Sequence, residues 1–219
     1  MSRVTFNRFK ITQPAQSLLD QYLRVYPAQT IHFEPRSLPA ISSPSLFKND
    51  HPLFLDLGCG VGDYTIQFAL DHPRANLIGI DHHYKSLHFA LNQLAGTSIQ
   101  NILFIRSDLR FLLKLIPDSS TDGVFLLFPP PPTKPNLETG HFFNQDFVSH
   151  LHRILKLHAE ITFITDNLIY LEQKSLLFAP NLFTSRQITD TSAYSTRFHK
   201  KWLKKGITTR GNIFTKKYP

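Results

Sequence analysis

Short apolar segments alternate with amphipathic segments along the chain from residue 51 onward. The apolar segments are five to seven residues long and carry few polar side chains, which is typical of strands buried on both faces of a parallel sheet. These predicted strands cover residues 53–57, 75–80, 101–105, 122–128 and 160–164. The amphipathic segments between them have helical spacing and cover residues 64–70, 84–95, 109–116 and 143–157, with a further helix ending near residue 178.

Two further strand patterns, at residues 182–188 and 211–215, flank a basic helical stretch at 193–205. Strands that alternate with helices and are apolar throughout indicate a parallel sheet covered on both faces. Five such units closed by a hairpin-like end predict an α/β fold with a doubly wound, mostly parallel sheet of seven strands.

The length and composition fit one domain with a full core, because 42% of the 219 residues are hydrophobic and 19 are phenylalanine. We assign residues 51–219 to this domain. Residues 1–50, with a helical pattern over 16–26, are interpreted as an N-terminal extension or lid. The apolar runs are too short to span a bilayer, and no apolar run follows the charged N-terminus, so neither a membrane segment nor a signal peptide is predicted. A single cysteine, Cys59, excludes an internal disulfide and favours a cytoplasmic location.

The net charge of +8 is concentrated in one part of the chain. Residues 184–219, named here the basic segment, contain nine lysines or arginines and one acid, whereas the remainder is balanced. Lys200, Lys201, Lys204 and Lys205 fall within two turns of a predicted helix, where they could neutralise phosphates and give salt-dependent binding. This concentration indicates either a polyanionic partner or a solvated basic tail that aids solubility, and the charge alone does not decide between them.

Three aromatic residues of the same stretch are spaced four apart: Tyr194, Phe198 and Trp202. This spacing places them on one face of a helix. Such a face either packs into the core or offers rings on which bases stack, and the first interpretation is the commoner one.

A glycine-rich loop follows the strand predicted at 53–57 and reads Asp56-Leu-Gly58-Cys-Gly60-Val-Gly62-Asp63. Glycines at a strand-to-helix turn let a ligand approach the backbone, and open α/β sheets bind ligands at this edge. The dinucleotide fingerprint requires its third glycine where this chain has Asp63. A turn flanked by two carboxylates suits a cation better than a pyrophosphate. S-adenosylmethionine carries a sulfonium and an ammonium and no phosphate, so it suits this loop. The alternative, an ordinary tight turn that binds no ligand, is less favoured.

Two more acids follow the next two predicted strands. Asp81 ends one strand and is placed to accept hydrogen bonds from both ribose hydroxyls. Asp108 follows the next strand and is placed to contact the adenine amine, or to cap the helix that begins at Leu109. Acids after successive parallel strands meet at one edge of the sheet, which favours a cofactor site.

Two other motifs are assigned structural roles. His82 and His83 have no nearby partners with metal-ligand spacing, so they are assigned to the surface or the ligand pocket, and no metal site is predicted. Four prolines at residues 129–132 predict a rigid exit loop after the strand at 122–128.

With these motifs, from about residue 54 to residue 218, the chain resembles the bacterial tRNA (guanine-N7)-methyltransferases. The motifs are Phe-Leu-Asp-Leu-Gly-Cys-Gly-Val-Gly62, Leu-Ile-Gly-Ile-Asp81, Phe128-Pro-x-Pro-x-x-Lys134, Phe163-Ile-Thr-Asp-Asn167 and Tyr194-Ser-Thr-Arg-Phe198. The glycine loop is common among methyltransferases, whereas the last three motifs in this order are more specific. The resemblance implies a class I methyltransferase fold, S-adenosylmethionine as cofactor, and methylation of N7 of a guanine in the variable loop of tRNA.

The resemblance also implies roles for individual residues. The expected cofactor-binding residues are Asp56, Gly58, Gly60, Asp81, Asp108 and Pro130. The expected substrate-binding residues are Lys134, Asp166, Thr196 and His199. Asp56 and Asp81 stand where the family usually has glutamate, which keeps the charge and shortens the side chain. Two departures remove a carboxylate: Pro130 stands where the family has a catalytic-loop aspartate, with Pro132 in place of its tryptophan, and His199 stands where it has a glutamate.

The reaction tolerates these two losses in principle. Guanine N7 is a hydrogen-bond acceptor with a lone pair, so it can attack a sulfonium methyl without first losing a proton. Alignment then matters more than a strong base. We expect Asp166 to act as the catalytic residue by holding the edge of the guanine, with Asn167 or His199 assisting.

Three functions remain open on the sequence. The first is a working tRNA methyltransferase, which the glycine loop, Asp81, Lys134 and Asp166 favour. The second is a tRNA-binding protein that has lost catalysis, which Pro130 and His199 favour. The third is a methyltransferase for a small molecule, against which the basic segment argues.

Overall fold

Eight strands form one sheet in the computed structural model, which describes residues 12–132 and 141–218. The strands are β1 (Leu23–Val25), β2 (Leu53–Leu57), β3 (Asn76–Asp81), β4 (Ile102–Arg106), β5 (Thr121–Leu127), β6 (Leu155–Thr165), β7 (Phe183–Ile188) and β8 (Arg210–Lys216). The helices are α1 (Gln16–Tyr22), α2 (Ala28–Phe33), α3 (Ser43–Leu46), α4 (Asp63–Asp71), α5 (Tyr84–Gln93), α6 (Leu109–Leu112), α7 (Gln145–Ile154), α8 (Leu168–Ser175) and α9 (Arg197–Leu203). Single 3-10 turns occupy Pro35–Ser37, Leu113–Leu115 and Ser192–Tyr194.

The strand order across the sheet is β1-β4-β3-β2-β5-β6-β8-β7. The first six strands in this order pair in parallel, whereas β8 pairs antiparallel with both β6 and β7. The predicted doubly wound, mostly parallel α/β fold with a hairpin-like end is therefore confirmed. The predicted number of seven strands is wrong, because β1 adds an eighth.

The extra strand lies in the stretch for which the pattern predicts a helix over 16–26. The helix ends at Tyr22, whose hydroxyl donates a hydrogen bond to the Ile99 carbonyl at 2.8 Å. The chain then extends, and Leu23–Val25 pairs in parallel with the edge of β4. Tyr26 continues this pairing through its N–H, which donates to the Arg106 carbonyl at 3.0 Å. Long-range pairing has overridden the local helical spacing, as tertiary contacts commonly do.

A second boundary differs near the middle of the chain. The helix predicted at 143–157 ends at Ile154, and β6 begins at the next residue. Leu155 is fully buried and pairs with Thr121, and the register then shifts before Gly123. The buried Lys216 donates a hydrogen bond from Nζ to the Leu155 carbonyl at 2.8 Å, which satisfies the backbone at this irregular start.

Apolar side chains fill both faces of the sheet. Leu53, Leu55 and Leu57 of β2 join the largest buried cluster, together with the fully buried Phe143. Phe54, between them, packs against a smaller cluster on the opposite face. Because side chains alternate along a strand, this burial on both faces produces the near-continuous apolar runs seen in the sequence.

The carboxyl ends of β2 to β6 meet at one edge of the sheet, where the glycine loop and the predicted acids lie. Within residues 12–132 and 141–218, no helix combines the length and apolar character needed to cross a membrane.

Candidate active site

The glycine loop turns sharply after β2 and is held by backbone hydrogen bonds. Gly58, Gly60 and Gly62 have φ values of 84°, 57° and 76°, which disfavour other residues. The Gly58 N–H donates to the Ile80 carbonyl at 2.8 Å, so the loop lies over the end of β3. A Cβ at Gly62 would come within 2.9 Å of Ala90, whereas the space beside Gly58 and Gly60 is open. The loop therefore offers room for a ligand above its first two glycines.

Asp81, the last residue of β3, ties this loop to the sheet. Its Oδ2 accepts a hydrogen bond from the Gly60 N–H at 2.9 Å, and its Oδ1 accepts one from the His83 N–H at 2.8 Å. The side chain is 13% exposed. Because each carboxylate oxygen can accept two hydrogen bonds, Asp81 keeps acceptor capacity for a ligand.

Asp56 lies beneath the loop and is 2% exposed. Its Oδ2 accepts a hydrogen bond from the Thr65 hydroxyl of α4 at 2.7 Å. Burial raises the pKa of Asp56 to about 7, and the nearby negative charge of Asp81 adds to this rise. A cation bound above the loop would favour the ionised form of this carboxyl group.

Asp108 caps the first turn of α6, as the alternative interpretation of the sequence proposed. Its Oδ1 accepts a hydrogen bond from the Arg110 N–H at 2.9 Å, and the Arg110 guanidinium donates to Oδ2 at 2.6 Å. These contacts, the side-chain hydrogen bond above all, hold the pKa of Asp108 below its usual value. The carboxylate is 32% exposed and remains in the wall of a cavity.

This cavity, named here the strand-end cavity, has a volume of about 560 Å³. Its walls come from the ends of β2, β3, β4 and β5, and include Gly58, Asp81, His82, Asp108, Arg110, Phe128, Pro129, Pro130, Pro131, Pro132 and His141. Pro130 is exposed, and its carbonyl lies 3.0 Å from His141 Nε2. The structure thus brings four predicted cofactor residues, Gly58, Asp81, Asp108 and Pro130, around one space.

A second cavity of about 370 Å³, named here the α9 cavity, lies on the other side of Gly58. The glycine loop forms one wall and the start of α9 forms another, with apolar side chains between them. The residues that line it are Gly58, Cys59, Gly60, Val61, Asp63, Phe89, Leu127, Phe128, Thr196, Arg197, Phe198 and Lys201. Thr196 caps α9, because its Oγ1 accepts a hydrogen bond from the His199 N–H at 3.0 Å.

Phe128 lies in the walls of both cavities. Its φ of 57° is unusual for a large residue, and its N–H donates to the Ile164 carbonyl at 2.7 Å. The ring packs against Phe198 at 5.2 Å and against the His199 ring at 5.4 Å between centroids. Strained backbone of this kind is concentrated at functional sites.

The other predicted substrate residues lie apart from the two cavities or outside the described residues. Asp166 is partly buried after β6 and does not line either cavity. His199 is 1% exposed, with Nε2 at 3.1 and 3.0 Å from the hydroxyls of Thr191 and Thr209. Its buried Nδ1 has no hydrogen-bond partner among the described residues, and burial lowers its pKa. Lys134 lies outside the described residues.

The three aromatic residues spaced four apart do not share one environment. Tyr194 precedes α9 in a 3-10 turn and packs on the core residue Tyr64, 5.9 Å between ring centroids. Phe198 is 36% exposed and meets Trp202 edge-on at 5.0 Å. The Lys205 ammonium lies 5.0 Å from the Trp202 ring centroid. Core packing therefore accounts for Tyr194, whereas Phe198 is exposed beside the α9 cavity.

Arg197 also lines the α9 cavity, and its contacts are not predictable from the sequence. It belongs to the Thr-Arg-Phe motif, but its partner Asp63 lies 134 positions earlier in the chain. A single sequence carries no signal for such a long-range ion pair. For metals, the portion of the chain that the structure describes contains no group of three or more potential ligands.

Solved structures of methyltransferases share this fold. The 16S rRNA methyltransferase KamB superposes with a TM-score of 0.61 at 12% identity, covering 83% of this chain and 100% of that chain. A mutant 16S rRNA (adenine(1408)-N(1))-methyltransferase from Catenulisporales acidiphilia, solved with its cosubstrate SAM, gives 0.56 at 16% identity over 77% and 87%. Identities this low establish the fold alone. With the glycine loop and the acids at the strand ends, this fold defines a class I S-adenosylmethionine-dependent methyltransferase.

Sequence relatives narrow the class to one family. The family model described as "Putative methyltransferase" matches residues 50–210. The tRNA (guanine-N(7)-)-methyltransferase of Rubrobacter xylanophilus is 32% identical over 214 residues, 95% of this chain and 96% of the relative. That of Chloroherpeton thalassium is 33% identical over 164 residues, 75% and 73% of the two chains. The chain belongs to the tRNA (guanine-N7)-methyltransferase family, which confirms the resemblance seen in its motifs.

Proposed function

We propose that this chain transfers the methyl group of S-adenosylmethionine to N7 of a guanine in the variable loop of tRNA. The observation that carries the proposal is the meeting of two cavities at Gly58 and Phe128. One is walled by acids at the strand ends, and the other by the start of the basic helix α9. A cofactor in the first and a base in the second would be neighbours at their junction.

The strand-end cavity suits the cofactor in size and in charge. Its volume of about 560 Å³ falls within the usual range for small-molecule sites. Asp81 retains acceptor capacity for ribose hydroxyls, and the open space beside Gly58 lets the amino-acid part of the cofactor approach the backbone; Gly60, the other glycine with open space beside it, lines the adjoining α9 cavity. When bound, the cofactor supplies a methyl group on a positively charged sulfur.

Two carboxylates provide the negative charge that this cation requires. Asp56 titrates near neutrality beneath the glycine loop, so it can become ionised when a cation binds above it. Asp108 is held ionised by Arg110 and lines the same cavity, where it can accept a hydrogen bond from the adenine amine.

The α9 cavity suits a purine that belongs to a polyanion. Phe89, Leu127, Phe128 and Phe198 provide apolar walls, and Lys201 contributes a cation. Thr196 accepts the capping hydrogen bond, so its own hydroxyl proton remains available for a substrate acceptor. A guanine of tRNA would have to leave its stack to enter.

The chemistry requires alignment from the protein and does not require a base. N7 carries a lone pair and no proton, so no group of the chain has to remove one before transfer. The absence of a carboxylate at Pro130 therefore removes a contact to guanine or cofactor, but it removes no base that methyl transfer requires. The family's carboxylate position is occupied here by a proline whose carbonyl contacts His141.

Asp166 is the remaining carboxylate that can hold the N1 and N2 donors of guanine. The hydrogen bond from Phe128 N–H to the Ile164 carbonyl links the end of β5 to the end of β6. Asp166 follows Ile164 by two residues, is partly buried and lines neither cavity, so this role requires the guanine edge to extend from the α9 cavity toward the end of β6. We assign it the role of holding the guanine edge.

A second candidate function is tRNA binding without methyl transfer. It is favoured by the absence of a carboxylate at Pro130 and by the burial of His199 against Thr191 and Thr209, away from the α9 cavity. A cytoplasmic location, which the single cysteine and a tRNA substrate favour, fits both candidates.

The two candidates are separated by incubating the protein with labelled S-adenosylmethionine and unmodified bulk tRNA, followed by nucleoside analysis. We expect the label in 7-methylguanosine. Binding of both cofactor and tRNA without label would support the second candidate and contradict the first.

A further inference from the structure

Arg197 makes an unusually complete set of contacts for a residue at the protein surface. Its backbone N–H donates to Asp63 Oδ2 at 2.8 Å, and its side-chain Nε lies 2.9 Å from Asp63 Oδ1. Its Nη2 donates to Gln93 Oε1 at 2.8 Å, and its guanidinium carbon lies 4.4 Å from the Phe89 ring centroid. The planar, multi-donor guanidinium is therefore fixed in both position and orientation.

These contacts join the start of α9 to both helices that follow the glycine loop. Asp63 is the first residue of α4, directly after the loop, and Gln93 is the last residue of α5. Gln93 also donates from Nε2 to the Val61 carbonyl within the loop, at 2.8 Å. Polar contacts thus run from the glycine loop through Gln93 and Asp63 to Arg197, and Asp63 and Arg197 line the α9 cavity.

The Asp63–Arg197 ion pair contributes little to the stability of the fold but fixes the position of the start of α9. Arg197 is 52% exposed and Asp63 is 16% exposed, and ion pairs at such exposure contribute little to stability. The carboxylate of Asp63 nevertheless satisfies the backbone N–H of Arg197, which has no partner within its own helix. The next residue on one side is Thr196, the cap of α9 that lines the cavity.

The charge of Asp63 excludes a simple electrostatic role toward tRNA. A carboxylate beside a site for a polyanion weakens binding through its charge, so we look for another contact that explains its presence. Here it holds a cation of the basic segment inward, against the glycine loop, and this cation is taken out of phosphate binding.

We propose that Asp63 and Arg197 form a latch that fixes α9 against the glycine loop, which makes Arg197 a positioning residue for methyl transfer. The inference rests on the proposed function. The latch sets the separation between Thr196 and the cofactor loop, and hence between the guanine and the methyl group. Small misplacements at this distance lower reaction rates steeply.

The test uses three latch variants, which are Arg197→Ala, Asp63→Ala and the double variant that carries both substitutions. Arg74→Ala and Asp71→Ala serve as the controls. Arg74 is an exposed arginine at the opposite edge of the sheet, and Asp71 is an exposed acid at the other end of α4. We expect kcat at saturating tRNA to fall about tenfold or more in each latch variant. The tRNA dissociation constant should change less than about threefold, since the lost interaction acts on alignment.

The double variant should lose no more activity than either single variant, because the two residues act as one unit. Both control variants should keep kcat within about twofold of the wild type. Asp63→Ala also tests the direction in which tRNA affinity changes. If Asp63 acted only through its charge, its removal would strengthen tRNA binding and leave kcat unchanged.

A second measurement needs no substrate. Trp202, the only tryptophan of the chain, lies in α9 and reports the docking of that helix. Quenching of its fluorescence by acrylamide should increase in both single latch variants and stay unchanged in both controls.

The latch is overturned if Arg197→Ala keeps the kcat of its control, if the losses of the single variants multiply in the double variant, or if the quenching is unaltered. Absence of 7-methylguanosine with the wild type would instead overturn the proposed function, and the quenching would then decide on the latch alone.

Discussion

The two cavities that meet at Gly58 and Phe128 differ in how they are built. The strand-end cavity is formed by loops that leave successive parallel strands, so its acids are placed by the sheet itself. The α9 cavity is closed by a helix from the far end of the chain, which docks through the contacts of Arg197 with Asp63 and Gln93 and through the packing of Phe198 on Phe128. The first is part of the fold, whereas the second depends on the docking of a separate element.

The departures from the family pattern fall in both parts of the site. Asp81, where the family usually has glutamate, and Asp108 keep carboxylates in the strand-end cavity, whereas Pro130 in the same cavity stands where the family has an aspartate. His199, in α9, stands where the family has a glutamate and is buried away from the α9 cavity. Because the two cavities are built from different elements, cofactor binding and base positioning should respond separately to substitution.

The largest expected effect is on cofactor binding. Asp81→Ala removes a proposed ribose acceptor and two hydrogen bonds, from Gly60 and His83, that hold the glycine loop. Losing charged hydrogen bonds of about 3 kcal/mol in total corresponds to about 100-fold weaker binding. Calorimetric titration with S-adenosylmethionine measures it, with Asp71→Ala on the exposed end of α4 as the control. Unchanged affinity in Asp81→Ala would remove the strand-end cavity from the cofactor site.

The next effect should separate the two cavities. Asp166→Ala should lower kcat/KM for tRNA by about 30-fold, since a charged hydrogen bond to the guanine edge contributes about 2 kcal/mol. Cofactor affinity should stay within about twofold, because Asp166 does not line the strand-end cavity. Steady-state methyl transfer and cofactor titration are measured side by side, with the exposed Glu172→Ala as the control. Equal turnover of Asp166→Ala and the wild type would contradict the assigned role.

A pH series tests how the ionisation of Asp56 affects cofactor binding. The pKa of Asp56 is raised to about 7, and the ionised carboxyl is the form that favours a cation. Cofactor affinity should therefore rise about tenfold between pH 6 and pH 8, by the usual titration relation. In Asp56→Asn, which can keep the hydrogen bond from Thr65, the affinity should not vary with pH. A pH-dependent affinity that persists in Asp56→Asn would assign the titration to another group.

The same carboxyl group predicts a trend in stability without cofactor. Its pKa is higher in the folded protein than the value of 3.8 for an unperturbed aspartate, so the folded state binds the proton more tightly. The contribution to stability is complete below pH 3.8 and is lost as the pH rises through about 7. Denaturant unfolding of the wild type and Asp56→Asn across this range would show the difference in slope.

The smallest effect concerns the basic helix. Lys204→Ala should weaken tRNA binding only two- to threefold, with a decrease of about 0.7 to 0.9 in the slope of log affinity against log salt. Filter binding at several salt concentrations measures this slope, with Arg74→Ala as the control. Equal slopes for both variants and the wild type would place the phosphate path elsewhere.

The sheet and most walls of the strand-end cavity could be predicted from the sequence. Parallel strands buried on both faces leave continuous apolar runs, and Gly58, Asp81 and Asp108 each follow such a run directly. Their meeting at one edge is then a consequence of topology. The strand Leu23–Val25 was not predictable in this way, because three residues pairing with the edge of β4 leave no periodic pattern.

The substrate half could be predicted only as a set of motifs. The capping role of Thr196, the burial of His199 and the pairing of Arg197 with Asp63 depend on how α9 docks on the rest of the protein. The spacing of Tyr194, Phe198 and Trp202 suggested one helix face, but α9 begins at Arg197 and leaves Tyr194 outside it. Contacts between distant segments leave no trace in local spacing.

In the proposed function, guanine N7 receives the methyl group at the junction of the two cavities. The most direct test uses two transcripts of one tRNA, one with guanine and one with 7-deazaguanine, which has carbon and hydrogen in place of N7. We predict that both transcripts bind with similar affinity and that only the guanine transcript accepts labelled methyl, once per tRNA. Transfer to the 7-deazaguanine transcript at a comparable rate would contradict the account, because the methyl group would then be going to another atom.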